Sequence, residues 1–174
     1  MAKRAMSQMD RVWGDRNISR NTKKQLVTPI VFSIFLYGAE TWTLKKADRQ
    51  RIDAFEMWCW RKMLGIRWTE HRTNESILTE LKIPMRLSTT CARRSFEFSG
   101  HIARKRGDNL EKLLVTGKVC GRKHGGRNPM RWSDQIRSTL NTSVHVAIHT
   151  AEDRQEWRRR IQEKVVREGH DPQH

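Results

Sequence analysis

Between Lys46 and Leu64 the apolar residues recur at three- and four-residue intervals. Ile52, Phe55, Cys59 and Met63 set the spacing, Met57, Trp60 and Leu64 widen the stripe, and Gly65 follows directly. That period belongs to an amphipathic α-helix, and a glycine just past the last periodic residue is a common stop. The same signal recurs along the chain. Leu87, Cys91, Phe98 and Ile102 predict a helix from about Leu87 to Arg104. Trp132, Ile136 and Leu140, four apart, predict another.

Shorter elements follow from punctuation. Thr22 with Gln25 reads as a capping box. Pro29 lacks a backbone donor and sits poorly inside a helix, so a break is expected there, with Thr28 as a new N-cap and Pro29 in the first helical position. The segment from Ile30 to Tyr37 is apolar nearly all round and should be buried, ending at Gly38. Asn74 is the expected cap of a helix carrying Ile77, Leu78 and Leu81, closed before Pro84. A last helix is expected from Thr150, with Asp153 three residues on, presenting Trp157, Ile161 and Val165 and stopping at Gly169. Leu113 through Thr116 could form a short strand, leading into a basic loop at 117–129 with four Gly and four Lys/Arg.

The expected fold class is therefore mainly α: a multi-helix bundle, then a small helical subdomain with a short β-hairpin or basic loop. Its divisions are 1–45, 46–83 and 84–174. With 174 residues the chain can bury a real core. Seven Trp argue for packed structure, since disordered chains are poor in large aromatics.

Charge narrows the partners. The net +16 is spread evenly, with 17 Lys/Arg in residues 1–87 and 18 in 88–174, so no basic tail hangs from a neutral domain. Such a surface suits nucleic acid or an anionic membrane. The longest apolar stretch, Leu26 to Ala39, is too short to span a bilayer, and no membrane partner is expected. Three widely spaced cysteines, Cys59, Cys91 and Cys120, imply no disulfide framework and fit a reducing, intracellular compartment.

The strongest concentration of charge lies in residues 93–131. Arg93, Arg94, Arg104, Lys105, Arg106, Lys112, Lys118, Arg122, Lys123, Arg127 and Arg131 face only Glu97, Asp108 and Glu111. The resulting +8 is half of the chain's total in under a quarter of its length. Cations in such a run displace counterions from phosphates, an affinity that salt weakens. A solvated loop with no ligand is the competing reading. Trp68, between Arg67 and Glu70 in an expected turn, is the best candidate for stacking on a base. Trp58, Trp60, Trp132 and Trp157 fall at helical spacing and read as core.

Catalytic signals are weak. None of the eight aspartates neighbours another, so no Asp-Asp metal motif of a polymerase is present. Gly117-Lys118 is followed by Val119, where a phosphate-cradling loop needs Ser or Thr. Glu80-Leu81-Lys82 faintly suggests a nuclease pair but reads better as a solvated helix end. Cys120 and His124 have a plausible zinc spacing, with Cys91 and His101 as a conceivable second pair, but tight cysteine pairs are lacking. No cofactor is expected, and the chain is not expected to be an enzyme on its own.

Several runs carry a resemblance. Ile18-Ser19-Arg20-Asn21-Thr22-Lys23 and Leu36-Tyr37-Gly38-Ala39-Glu40-Thr41-Trp42 resemble the region past the palm in non-LTR retrotransposon endonuclease–reverse transcriptases. So do Trp60 through Thr69 and Gly100-His101-Ile102-Ala103-Arg104. Gly121 through Ile136 looks like that family's glycine-arginine-proline tail motif, with Asn128 inserted between Arg127 and Pro129. Ala151-Glu152-Asp153-Arg154 with Trp157-Arg158 is similar to its closing helix. The resemblance implies that 1–45 are thumb helices holding a template–primer duplex. It implies that the rest is a C-terminal extension contacting RNA, an RNA–DNA hybrid or DNA, and that the remaining polymerase domains are possible partners. The family's catalytic residues have no counterpart among the matching positions. A truncated copy beginning at an internal methionine, and a nuclear setting, are the expectations that follow.

Overall fold

The computed structural model describes residues 1–105, 110–112 and 130–167, with the Trp68 side chain set aside. Among them the regular structure is helical throughout, and none is strand. The proposed strand at 113–116 and the loop at 117–129 lie outside the described residues. Two compact units are formed: Met1–Ala39 with Lys46–Ser88, and Glu40–Lys45 with the chain from Thr89 onward.

The first unit opens with α1 (Ala2–Gln8) and α2 (Asp10–Gly14). Buried Trp13 donates its indole N–H to the Met6 carbonyl at 2.8 Å. Next comes α3 (Arg20–Leu26), whose N-cap is Ser19: its hydroxyl accepts from the Thr22 backbone N–H. The helix is therefore capped by Ser19, three residues before the Thr22 that opens the expected capping box.

The expected break at Pro29 does not occur. The chain runs on through a π-helical stretch, Val27–Phe32, into α4 (Ser33–Phe35). The wider π turn is a helix's usual accommodation for a residue that has no N–H to give. The Ser33 hydroxyl donates to the Pro29 carbonyl. This segment is not buried all round either. Val31, Phe32 and Leu36 face the core, whereas Ile30, Ile34 and Tyr37 are 36%, 40% and 88% exposed. An amphipathic helix with one solvent-facing apolar edge replaces the expected core helix. Gly38 closes it at φ +71, a conformation glycine adopts without a Cβ clash.

The central helix α5 (Lys46–Leu64) matches the predicted span, and Gly65 stops it at φ +68. Its buried face carries Ile52, Phe55, Cys59, Trp60 and Met63. Trp60 meets Phe32 edge-on, with ring centroids 5.2 Å apart. Trp58, by contrast, is half-buried and has the ammonium groups of Lys3 and Lys62 within 5.8 and 5.6 Å of its ring. Helix α6 (Asn74–Glu80) is capped by Thr73, one residue before the expected Asn74. Buried Glu56 on α5 accepts from the Arg86 guanidinium at 2.7 Å.

In the second unit, α7 (Leu87–Arg104), which begins two residues before the division, packs with α8 (Trp132–Leu140), α9 (Val144–Glu152) and α10 (Arg154–Ile161). A π-helical continuation, Gln162–Arg167, follows. The single helix expected from Thr150 is instead two. Ser143 caps α9, and Asp153 caps α10 by accepting from Gln155 and Glu156 N–H. Trp157 is buried and donates to the Phe96 carbonyl at 2.9 Å. Trp132, half-buried, donates to the Ser95 hydroxyl at 2.6 Å. The segment Glu40–Lys45 joins this unit through the Leu44 N–H, which donates to the side-chain carbonyl of buried Gln135 at 2.7 Å.

Candidate nucleic-acid interface

A basic chain uses some of its cations to satisfy its own carbonyls, and these are not free for a ligand. The last turn of every helix leaves carbonyls without intrahelical partners. Lys23, itself buried, donates to the Trp13 carbonyl at 2.7 Å, and Lys24 donates to the Leu81 carbonyl at 2.8 Å. Arg61 holds the Arg72 carbonyl at 2.6 Å and the Asn74 side chain at 2.9 Å. Glu80 likewise sits between Arg20 and Arg72, so its carboxyl lies below the ordinary range, chiefly through the hydrogen bond from Arg72. It is a structural acid at a helix end.

The predicted phosphate-contacting residues divide in the same way. Arg93 is half-buried, 3.6 Å from Glu97 on the same helix face, with Nε shielded and without a hydrogen-bond partner. Arg94 is exposed. Lys105 pairs with Glu111 at 2.8 Å. Arg131 is exposed, and its backbone N–H donates to Asp134 at 3.0 Å to start α8. Arg106, Lys118, Arg122, Lys123 and Arg127 lie outside the described residues, as do Cys120 and His124. Trp68 belongs to the first unit, where it opens a short 3-10 turn, Trp68–Glu70.

Arg104 is the predicted residue with most to say. It donates to the Ala151 carbonyl at 2.6 Å, in the last turn of α9. Its guanidinium lies below its ordinary pKa, first because it is partly buried and then because Arg154 and Arg158 stand near it. The reason for this crowding is local. Gly100, one turn earlier on α7, lets the Trp157 indole come so close that a Cβ there would sit 2.4 Å from the ring nitrogen and 3.1 Å from the Arg104 guanidinium. Trp157 anchors α10 by its buried face. Arg154 and Arg158, four residues apart, flank that anchor and are exposed.

The neighbouring carboxylates are engaged elsewhere. Asp153 caps α10, Glu152 pairs with His149 at 3.0 Å, Glu156 holds Arg159 and Arg160 at 2.8 and 3.2 Å, and Glu111 takes Lys105. Among the described residues neither Arg154 nor Arg158 makes an ion pair. Arg104 thus reaches the end of α9 with Arg154 and Arg158 near it, and among the described residues none of the three is ion-paired with a carboxylate. Sequence reading singled out Arg104 but missed Arg154 and Arg158. Their signal was present in the arginines spaced four apart around a core tryptophan.

Other chemistry finds little support. Cys59 and Cys91 are buried, and burial pushes the Cys59 thiol up to about 12, so it is a packing residue rather than a nucleophile. Among the described residues no group of three or more His, Cys, Asp or Glu could hold a metal. A cavity lined by Ile102, Ile136, Ala147 and Trp157 measures about 20 Å³, room for a water and far below a small-molecule site. No described helix is long and apolar enough to cross a membrane.

No family model matches the chain, and no solved structure matches it. A Caenorhabditis elegans protein named as an uncharacterized, transposon-derived protein is 27% identical over 167 residues. The match takes in 83% of this chain and 59% of that protein, so the chain spans about three fifths of its relative's length. What this mainly helical chain is similar to is therefore a transposon-derived protein.

Proposed function

We propose that the chain is a transposon-derived, non-catalytic nucleic-acid-binding segment corresponding to the thumb and tail of a non-LTR retrotransposon reverse transcriptase. Its second unit contacts the phosphates of RNA, an RNA–DNA hybrid or DNA. One observation carries the binding: the Arg104, Arg154 and Arg158 cluster, in which no arginine is ion-paired with a carboxylate among the described residues. Charge held together in this way is costly unless an anion arrives, and phosphate is the anion that planar guanidinium groups match best. Arg122, Lys123 and Arg127 add to the positive charge of the chain. The likeness to a transposon-derived protein and the sequence resemblance supply the element type, and with it a nuclear setting and the remaining polymerase domains as partners.

The test is fluorescence anisotropy with labelled single-stranded RNA, RNA–DNA hybrid and duplex DNA, at rising salt, on the full chain. Binding that falls linearly on a log–log salt plot supports the reading. Absence of binding at low salt by a folded chain refutes it.

A second reading is favoured by Ile30, Ile34 and Tyr37, an exposed apolar edge four and three residues apart. It makes the chain a remnant without independent function, exposing a surface that once packed on a larger enzyme. Sedimentation velocity decides this: concentration-dependent association relieved by Ile34→Ser supports it, and a monomer at all concentrations counts against it.

A further inference from the structure

We infer that Arg104, Arg154 and Arg158 form a seat for a terminal phosphate, the phosphomonoester at the end of a nucleic-acid strand. The inference rests on reading the second unit as a nucleic-acid binder and goes further by naming the chemical group that the site takes.

The argument is one of charge and fixation. A phosphodiester inside a strand carries one negative charge, whereas a phosphomonoester carries about 1.5 to 2 near neutral pH and presents three acceptor oxygens. A site built to track a backbone spreads its cations along a groove. Here Arg104 is tied to the last turn of α9, and exposed Arg154 and Arg158 stand near it, one turn apart on α10. Arg104 is held there from below: one of its nitrogens is spent on the Ala151 carbonyl, which orients the remainder. Trp157 is pinned by its bond to the Phe96 carbonyl and by contact with Gly100, and it fixes the helix from which Arg154 and Arg158 project. The side chains are thus mounted on a packed corner rather than on a loop, and the two outer ones are exposed to an incoming strand. Among the described residues, Asp153, Glu152, Glu156 and Glu111 each have another partner. A cluster of cations gains more from the doubly charged monoester than from a singly charged diester.

The experiment compares short single-stranded RNAs of one sequence bearing a 5′-hydroxyl, a 5′-phosphate or a 3′-phosphate, each labelled at the opposite end. They are measured by anisotropy on the full chain and on R154A/R158A. The expected result is a preference of about tenfold or more for a phosphorylated end, the scale of one charge-assisted contact. That preference should be lost in R154A/R158A and kept in R4A/R11A, which removes the same formal charge from the first unit. Whichever end is preferred identifies the strand polarity at the seat. Inorganic pyrophosphate, a free source of the same chemistry, should raise the melting temperature of the unaltered chain and not of R154A/R158A. This second readout also shows whether that variant is folded. Tight binding of all three RNAs with equal affinity overturns the seat while leaving the broader binding reading intact. So does an end preference that survives in a folded R154A/R158A. A folded chain that binds none of the RNAs overturns both.

Discussion

Trp157 lies against Gly100 so closely that no side chain fits between them: a Cβ on Gly100 would come within 2.4 Å of the indole nitrogen and 2.5 Å of its neighbouring carbon. This contact sets α10 on α7 and with it the position of Arg154 and Arg158. Gly100→Ala should destabilise the second unit by about 1–3 kcal/mol, the usual cost of overfilling a packed core, with the Trp157 emission altered. Unchanged urea unfolding and fluorescence in Gly100→Ala would show that the contact does not govern the fold.

Arg104 has a structural task that Lys cannot copy in full, because one guanidinium nitrogen meets the Ala151 carbonyl 2.6 Å away while the rest of the fork stays available. Arg104→Ala is expected to cost about 1–3 kcal/mol, the range for leaving a shielded acceptor unpaired. Arg154→Ala and Arg158→Ala, on exposed side chains, should change stability by at most about 0.5 kcal/mol. Thermal melts of the three single variants check the contrast, and equal losses for all three would contradict it.

In the first unit the Glu56–Arg86 pair is the main shielded ion pair, with Glu56 1% and Arg86 21% exposed. Burial raises the Glu56 carboxyl above its ordinary 4.5, and the Arg86 hydrogen bond and charge pull it back. Arg86→Ala strands that carboxylate and should cost roughly 3–5 kcal/mol at neutral pH. Because the folded-state value is raised, the Glu56 contribution is fully present below about 4.5 and is lost as pH rises through the folded value. Arg86→Ala should therefore regain stability on mild acidification, and Arg86→Ala/Glu56→Gln should not. Urea midpoints at pH 4.5 and 7 distinguish these, and an Arg86→Ala deficit of the same size at both would refute the linkage.

Glu80 has the opposite sign. Arg72 first, then Arg20, hold its carboxyl below 4.5. Its contribution is present above that value and is lost as pH falls through the lower folded one. Glu80→Gln should accordingly be less stable than the unaltered chain at pH 6 and converge with it as pH falls through the lowered folded value. Chemical-shift titration of the Glu80 side chain is the direct check, and a midpoint at or above 4.5 would contradict it.

Long periodic segments were legible in the sequence. Helices α5 and α7 occupy the predicted spans because their spacing runs over many turns and glycine or a turn ends the pattern. Local punctuation was less reliable where it competed with packing. Pro29 reads as a break, yet the chain passes it by widening into a π turn, since Val27, Val31 and Phe32 gain more from staying on one buried face. Helix α9 escaped notice because its buried residues, Ala147 and Ala151, are small and give a weak stripe. Thr150 with Asp153 imitates a start signal a few residues too early. The site was half legible. Composition marks the basic region, but no local pattern tells which arginine is spent on a carbonyl. The partner of Arg104 lies 47 residues further along the chain, a relationship that only folding creates.

The central claim is that this chain grips nucleic acid through phosphates, with the arginines around the α9–α10 turn as a principal contact. The salt dependence of RNA binding, compared between the unaltered chain and R154A/R158A, tests it most directly. The account predicts a linear fall of log affinity with log salt, with the slope reduced in the double variant by about 0.7 to 1 for each cation removed. Identical slopes for the two proteins, or binding that ignores salt, would contradict it.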